Sequence, residues 1–176
     1  MNLRILYHGL GMAGKTTNLE KLKEIYTNYV YDRIHQCTPE GRTVYLDMLS
    51  LSIKTKDGDA ELNVSLFTTP GQERFRLLRR WLFGHVDGVV FVFDTTRSLE
   101  ENLKAYHELI DFGLSQVPTV VQANKMEVEG AMPIGSIVDA FPNIKVIEAV
   151  AIKGIGVVET FKEILKEVLN ARATSR

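Results

Sequence analysis

The sequence predicts one three-layer α/β domain, with helices on both faces of a six-stranded, mostly parallel sheet that carries one antiparallel strand. Three observations lead there. Short apolar runs of strand length alternate with amphipathic stretches of helical period. The chain has 176 residues, 45% hydrophobic and 24% charged, which suits a single compact domain over residues 1–176. It shows no internal repeat, linker or low-complexity tract.

The first strand is read at Leu3-Arg4-Ile5-Leu6-Tyr7. After a glycine-rich turn, Leu19, Leu22, Ile25, Tyr26 and Tyr29 recur at helical spacing and define the first helix. Val44 to Ile53 and Leu62 to Phe67 are the second and third strands. Lys56-Asp57-Gly58-Asp59 between them leaves no room for a crossover helix, so these two form an antiparallel hairpin. In the second strand, Val44, Leu46 and Met48 keep one alternation phase and Leu49, Leu51 and Ile53 the other. Either a bulge at 48/49 or burial on both faces accounts for that slip. Gly88 to Phe93, Thr119-Val120-Val121 and Lys145-Val146-Ile147 complete the strands. Val157, Val158, Phe161, Ile164, Leu165, Val168 and Leu169 mark the last helix.

Twenty-one basic against 22 acidic side chains give a net charge of −1, so no basic face is expected for nucleic acid or anionic lipid. The lone Cys37 has no partner for an internal disulfide, which leaves a reducing compartment or an indifferent one, read as cytoplasmic. The apolar stretch at the N-terminus is too short for a signal peptide, and no run approaches the ~18 residues of a spanning helix. Asn2 stands where myristoylation needs Gly, and Ala173-Thr174-Ser175-Arg176 lacks a prenylatable cysteine. A soluble chain without a membrane anchor, monomeric on its own, is expected.

Gly9-Leu10-Gly11-Met12-Ala13-Gly14-Lys15-Thr16 fits G-x-x-x-x-G-K-[ST] between a strand and a helix, the context that the motif requires. Backbone N–H groups from Gly11 to Thr17 would converge on polyphosphate oxygens, helped by the positive end of the helix. Lys15 would bridge the outer phosphates, and Thr16 would offer its hydroxyl to Mg²⁺.

Two further motifs choose among phosphate-loop classes. Phe67-Thr68-Thr69-Pro70-Gly71-Gln72-Glu73 ends the third strand, and Ala123-Asn124-Lys125-Met126-Glu127 follows the fifth. With these spacings the sequence resembles the Ras-like small GTPases, and among them the bacterial MglA-type gliding and polarity GTPases, from about Leu3 to about Leu169. A departure supports the narrower resemblance: the usual D-x-x-G-Q reads Thr68-Thr69-Pro70-Gly71-Gln72, as in MglA-type proteins. Arg42-Thr43-Val44-Tyr45-Leu46-Asp47 is similar to their R-T-x-x-x-D entry into the second strand.

The resemblance implies a P-loop NTPase fold of the small G-protein type and GTP hydrolysis by an in-line water. In that chemistry the protein mainly positions water and neutralises charge. Gln72 would orient the water, since an amide can accept from it and donate toward phosphate. Gly71 would offer its N–H to the γ-phosphate, and Thr43 would bind Mg²⁺ as the threonine of the first switch. Arg42 is the candidate arginine finger in cis, weighed against an ordinary solvated loop arginine. Asn124 would tie its loop to the phosphate loop, and the Lys125 stem would cover the base. Glu127 replaces the usual guanine-reading Asp with a stem one methylene longer. In Glu148-Ala149-Val150-Ala151, Val150 and Ala151 permit close approach, and an N–H near Ala151 would meet the guanine oxygen.

Two carboxylates lie near these motifs. Asp47 is a candidate replacement for the missing acid at Thr68, although an outward position on an alternating strand is the reading preferred for it. Asp94 reads as a strand-terminal cap. His8, His35, His85 and His107 share no metal-ligand spacing. Phe75, Leu77 and Trp81 are candidate partner contacts, with Leu78 and Leu82 reserved for the sheet.

The implied cofactors are Mg²⁺ and GTP/GDP. The implied partners are effectors and a roadblock-fold dimer acting as GTPase-activating protein, in polarity or motility. A small-molecule kinase and a nucleotide-loaded scaffold without turnover are the alternatives. The first lacks a lid insertion between strands four and five, and Gln72 and Arg42 argue against the second.

Overall fold

The computed structural model describes residues 1–37, 43–54, 61–69, 85–111 and 113–174. Its elements follow the alternating pattern. They are β1 (Asn2–His8), α1 (Lys15–Ile25), β2 (Tyr29–Cys37), β3 (Thr43–Lys54), β4 (Glu61–Thr68), β5 (Gly88–Asp94), α2 (Leu99–Asp111), β6 (Thr119–Asn124), α3 (Ile134–Ala140), β7 (Lys145–Ala149) and α4 (Val157–Thr174). The strands form one sheet in the order β2-β3-β4-β1-β5-β6-β7. β3 runs antiparallel to β2 and β4, and the other pairings are parallel.

The described sheet thus has seven strands where the sequence reading has six. The additional one is β2, whose first residue, Tyr29, also fits the helical spacing of the first helix. That helix ends at Ile25, and Tyr26 is already extended. Tyr29, Val30, Tyr31 and Ile34 are aromatic or β-branched residues that favour strand, and pairing with β3 decides the segment's state over the i, i+3 spacing of Tyr26 and Tyr29. The β3–β4 hairpin is present, with Ile53 opposite Leu62. No bulge occurs at 48/49: the register runs unbroken from Met48–Phe67 to Lys54–Glu61 and continues across β2.

Core packing has two layers. On one face, α1 through Leu19 and Leu22, and α4 through Val157, Phe161, Ile164 and Val168, cover Leu3, Ile5, Leu49, Leu51, Val64 and Val90. On the other, α2 through Ala105 and Leu109, and α3 through Ile137, cover Leu6, Val89, Phe91, Phe93 and Val121. β5 is buried along its whole length, as a central strand between two helical layers must be. α2 begins with a reciprocal cap: Ser98 Oγ accepts from the Glu101 N–H at 3.2 Å and donates to the Glu101 carboxylate at 3.0 Å. Among the described residues no helix is long and apolar enough to cross a membrane.

Candidate functional site

The C-terminal ends of β1, β6 and β7 bring the motif segments to one edge of the sheet, where open α/β folds place ligands. β1 ends at His8, and the glycine-rich loop turns into α1 without a side-chain cap. The N–H groups of the first turn therefore face the loop, an arrangement suited to an anion. Gly14 has φ +110°, and a Cβ there would fall 2.2 Å from Asn124 Nδ2, so glycine is required for both conformation and contact. Met12 also adopts a left-handed φ of 64° and stands almost fully exposed. Lys15 is buried, and its ammonium donates to the carbonyls of Gly9 at 3.0 Å and Leu10 at 2.6 Å. The cation is held against the loop, not extended into solvent.

Asn124, the last residue of β6, joins two loops. Its Nδ2 donates to Ala13 O at 2.9 Å, and its Oδ1 accepts from the Ala151 N–H at 2.9 Å. The Ala151 N–H, expected to meet a base oxygen, is therefore already paired with Asn124. Lys125 follows with φ 70°, and its ammonium donates to Asp94 Oδ2 at 2.7 Å. Asp94 also accepts from the Thr96 N–H and hydroxyl, the turn-capping role read from its position. Glu127 lies exposed in the turn after β6, and Val150 pairs with Ile155 to close the loop containing Ala151. Ile152, next in sequence, is exposed.

Asp47 requires a correction. It is 6% exposed and faces inward. Its Oδ2 accepts from Thr16 Oγ1 at 2.5 Å, its Oδ1 accepts from Arg33 Nε at 2.7 Å, and its N–H donates to Thr68 Oγ1 at 3.2 Å. Strand alternation had suggested an outward position, but the pleat places Asp47 on the same face as Leu49 and Leu51, over α1. Thr16, Thr68 and Asp47 thus bring hydroxyl and carboxylate oxygens together beside the phosphate loop, a donor chemistry that suits Mg²⁺. Arg33 belongs to the strand missed in the sequence, so its ion pair with Asp47 was not legible there. Among the described residues no cluster of three or more His, Cys, Asp or Glu side chains could hold a metal.

The remaining expectations divide by position. Thr43 opens β3 opposite Cys37. Arg42, Gly71 and Gln72, with Phe75, Leu77, Leu78, Trp81 and Leu82, lie outside the described residues. His8 is buried, within 2.9 Å of Thr69 Oγ1 through Nδ1 and 2.8 Å of Ala105 O through Nε2. It anchors the end of β1 to α2.

A family model described as the ADP-ribosylation factor family matches residues 1–169. The chain is 32% identical to the mutual gliding-motility protein MglA of Myxococcus xanthus (strain DK1622), over 96% of this chain and 91% of that protein. It is 33% identical to the human ADP-ribosylation factor-related protein 1, over 78% of this chain and 66% of the relative. It is 28% identical to the ADP-ribosylation factor-like protein 6 of Caenorhabditis elegans, over 77% of this chain and 67% of the relative.

Proposed function

Because this chain belongs to the ADP-ribosylation factor family of small GTPases and is a GTP-hydrolysing enzyme of that class, we propose that it acts as a Mg²⁺-dependent GTP/GDP switch in cell polarity or motility. The observation that carries the nucleotide reading is the Asn124 bridge. One side chain fixes the phosphate loop at Ala13 and the loop at Ala151 around a common edge of the sheet. A ligand with phosphates at one end and a flat base at the other matches that pairing.

In this reading the loop from Gly11 to Thr17 binds the phosphates, with Lys15 neutralising their charge. Lys125 and the Val150–Ala151 segment flank the base, and Glu127 accepts from the paired donors of guanine. Thr16, Thr43 and Asp47 hold Mg²⁺, which neutralises charge on the phosphate oxygens when bound. Gly71 senses the terminal phosphate, Gln72 orients the attacking water, and Arg42 stabilises the charge that develops during transfer. These last assignments rest on sequence motifs. The likeness to a mutual gliding-motility protein of Myxococcus xanthus supports the motility role, and a roadblock-fold dimer is the proposed activating partner. A cytoplasmic location accords with the single cysteine.

The test measures binding of GTP, GDP and ATP to the purified chain, then single-turnover phosphate release. Guanine nucleotides should bind far more tightly than ATP, with release of one phosphate per bound GTP. Lys15→Ala should lose binding altogether. Equal affinity for ATP, or tight GTP retention by Lys15→Ala, would overturn the assignment.

A further inference from the structure

β6 carries a second amide, Gln122, on the same face of the strand as Asn124 and one pleat before it. Gln122, Asn18 of α1 and Thr160 of α4 are all wholly buried. Asn18 Nδ2 donates to Gln122 Oε1 at 2.7 Å, and Gln122 Nε2 donates back to Asn18 Oδ1 at 2.9 Å. The other Asn18 N–H goes to Gly14 O at 2.9 Å, and the other Gln122 N–H goes to Thr160 Oγ1 at 3.0 Å. The Thr160 hydroxyl donates onward to Gly156 O at 2.6 Å. Every side-chain donor of Asn18, Gln122 and Thr160 is used.

The two ends of this chain lie at the site. Gly14 is the turn from the phosphate loop into α1. Gly156 follows the closed Val150–Ile155 bridge, and with φ +76° it sits so tightly on β7 that a Cβ would fall 2.2 Å from Glu148 O. Asn124 already connects the same two segments through Ala13 and Ala151. Gln122 makes a parallel rung below it.

Stability alone does not call for such a network, because apolar residues of similar volume can replace both partners of a buried hydrogen bond at little cost. A fully satisfied network in a low-dielectric interior instead selects one relative arrangement of the parts it joins. We propose that Asn18, Gln122 and Thr160 are positioning residues that hold the phosphate loop and the base-side loop in the spacing a bound nucleotide needs, and so slow its release. The inference rests on the guanine-nucleotide reading above.

The experiment follows release of a fluorescent GDP from the wild-type chain and from Thr160→Val, Thr160→Ser, Asn18→Leu/Gln122→Leu and Ile164→Val, with the melting temperature of each. Thr160→Val removes the hydroxyl but leaves the Thr160 N–H on Gly156 O at 3.0 Å, so α4 should still start correctly. Release should accelerate about tenfold in Thr160→Val, the effect of losing roughly one buried hydrogen bond. It should accelerate at least as much in the double variant and stay near wild type in Thr160→Ser. Ile164→Val lowers stability from the same helix without touching the network, and its release rate should not change. Unaltered release in Thr160→Val and the double variant, or equal acceleration in Ile164→Val, would overturn the positioning role while the wild type still binds GDP. A wild-type chain that retains no guanine nucleotide would instead overturn the functional reading, and this inference with it.

Discussion

A buried carboxylate is tolerated when its oxygens are satisfied, and Asp47 meets that condition through the Thr16 hydroxyl and the Arg33 guanidinium. Its carboxylate oxygens beside the Thr16 hydroxyl are the kind of ligand that Mg²⁺ takes, which makes Asp47 the residue to test for magnesium. Asp47→Asn should raise the Mg²⁺ concentration for half-maximal GTP retention by about tenfold or more, the usual effect of altering a group around a metal. An unchanged requirement would leave Asp47 as a structural partner of Thr16 and Arg33. Tyr7 presents the opposite situation: its hydroxyl is buried and finds no hydrogen-bond partner among the described residues. Tyr7→Phe removes that cost and should raise stability by about 1 kcal/mol, or roughly 2–4 °C in melting temperature. Burial, reinforced by Tyr26, pushes the Tyr7 phenol far above its ordinary value. An acid with a raised folded pKa contributes stability below its unfolded pKa, near 10, and loses it as pH rises further. Melting temperature should therefore fall above about pH 10, and less steeply in Tyr7→Phe.

At the level of elements, helix starts illustrate two uses of the same unsatisfied N–H groups. α1 begins at Gly14 with no side-chain cap and faces the phosphate loop. α2 is closed by Ser98 and Glu101. The Arg97 guanidinium, then the Ser98 N–H and hydroxyl, hold the Glu101 carboxyl down to about 2. Its contribution is therefore present above the ordinary carboxylate range and fades as pH falls toward 2. Ser98→Ala should lower the melting temperature by a few degrees at neutral pH. It should also raise the apparent Glu101 pKa, measured by carboxyl NMR titration. A cap that contributed nothing would leave both unchanged.

For the molecule as a whole, the proposed GTPase reading makes the rate depend on whether Arg42 reaches the transferring phosphate. An arginine on the transferring phosphate contributes on the order of 10³ to 10⁵ in rate, or ~4 to 7 kcal/mol of barrier. If Arg42 acts only once an activating partner is bound, Arg42→Ala should barely alter slow intrinsic hydrolysis and abolish most partner-stimulated hydrolysis. Gln72→Leu should lose stimulation too, with GTP affinity largely kept in both. Full stimulation of Arg42→Ala would place the finger on the partner.

Periodicity and motif spacing alone were enough to read the α/β class, the antiparallel hairpin and the phosphate loop, because each depends on residues close together in the chain. Asn124 and Lys125 were also legible, as members of a contiguous motif. Long-range pairing decided the rest. β2 became a strand because β3 offered it a partner, against the helical spacing of Tyr26 and Tyr29. Asp47 faced inward because an unbroken register fixed its phase. The amide chain joins Asn18 to Gln122 across 104 residues, and the only local trace of it was a glutamine in an apolar strand, just beyond where the sequence reading ended that strand. Side chains so far apart in sequence meet only when the sheet order is set, and that order is a property of the folded chain.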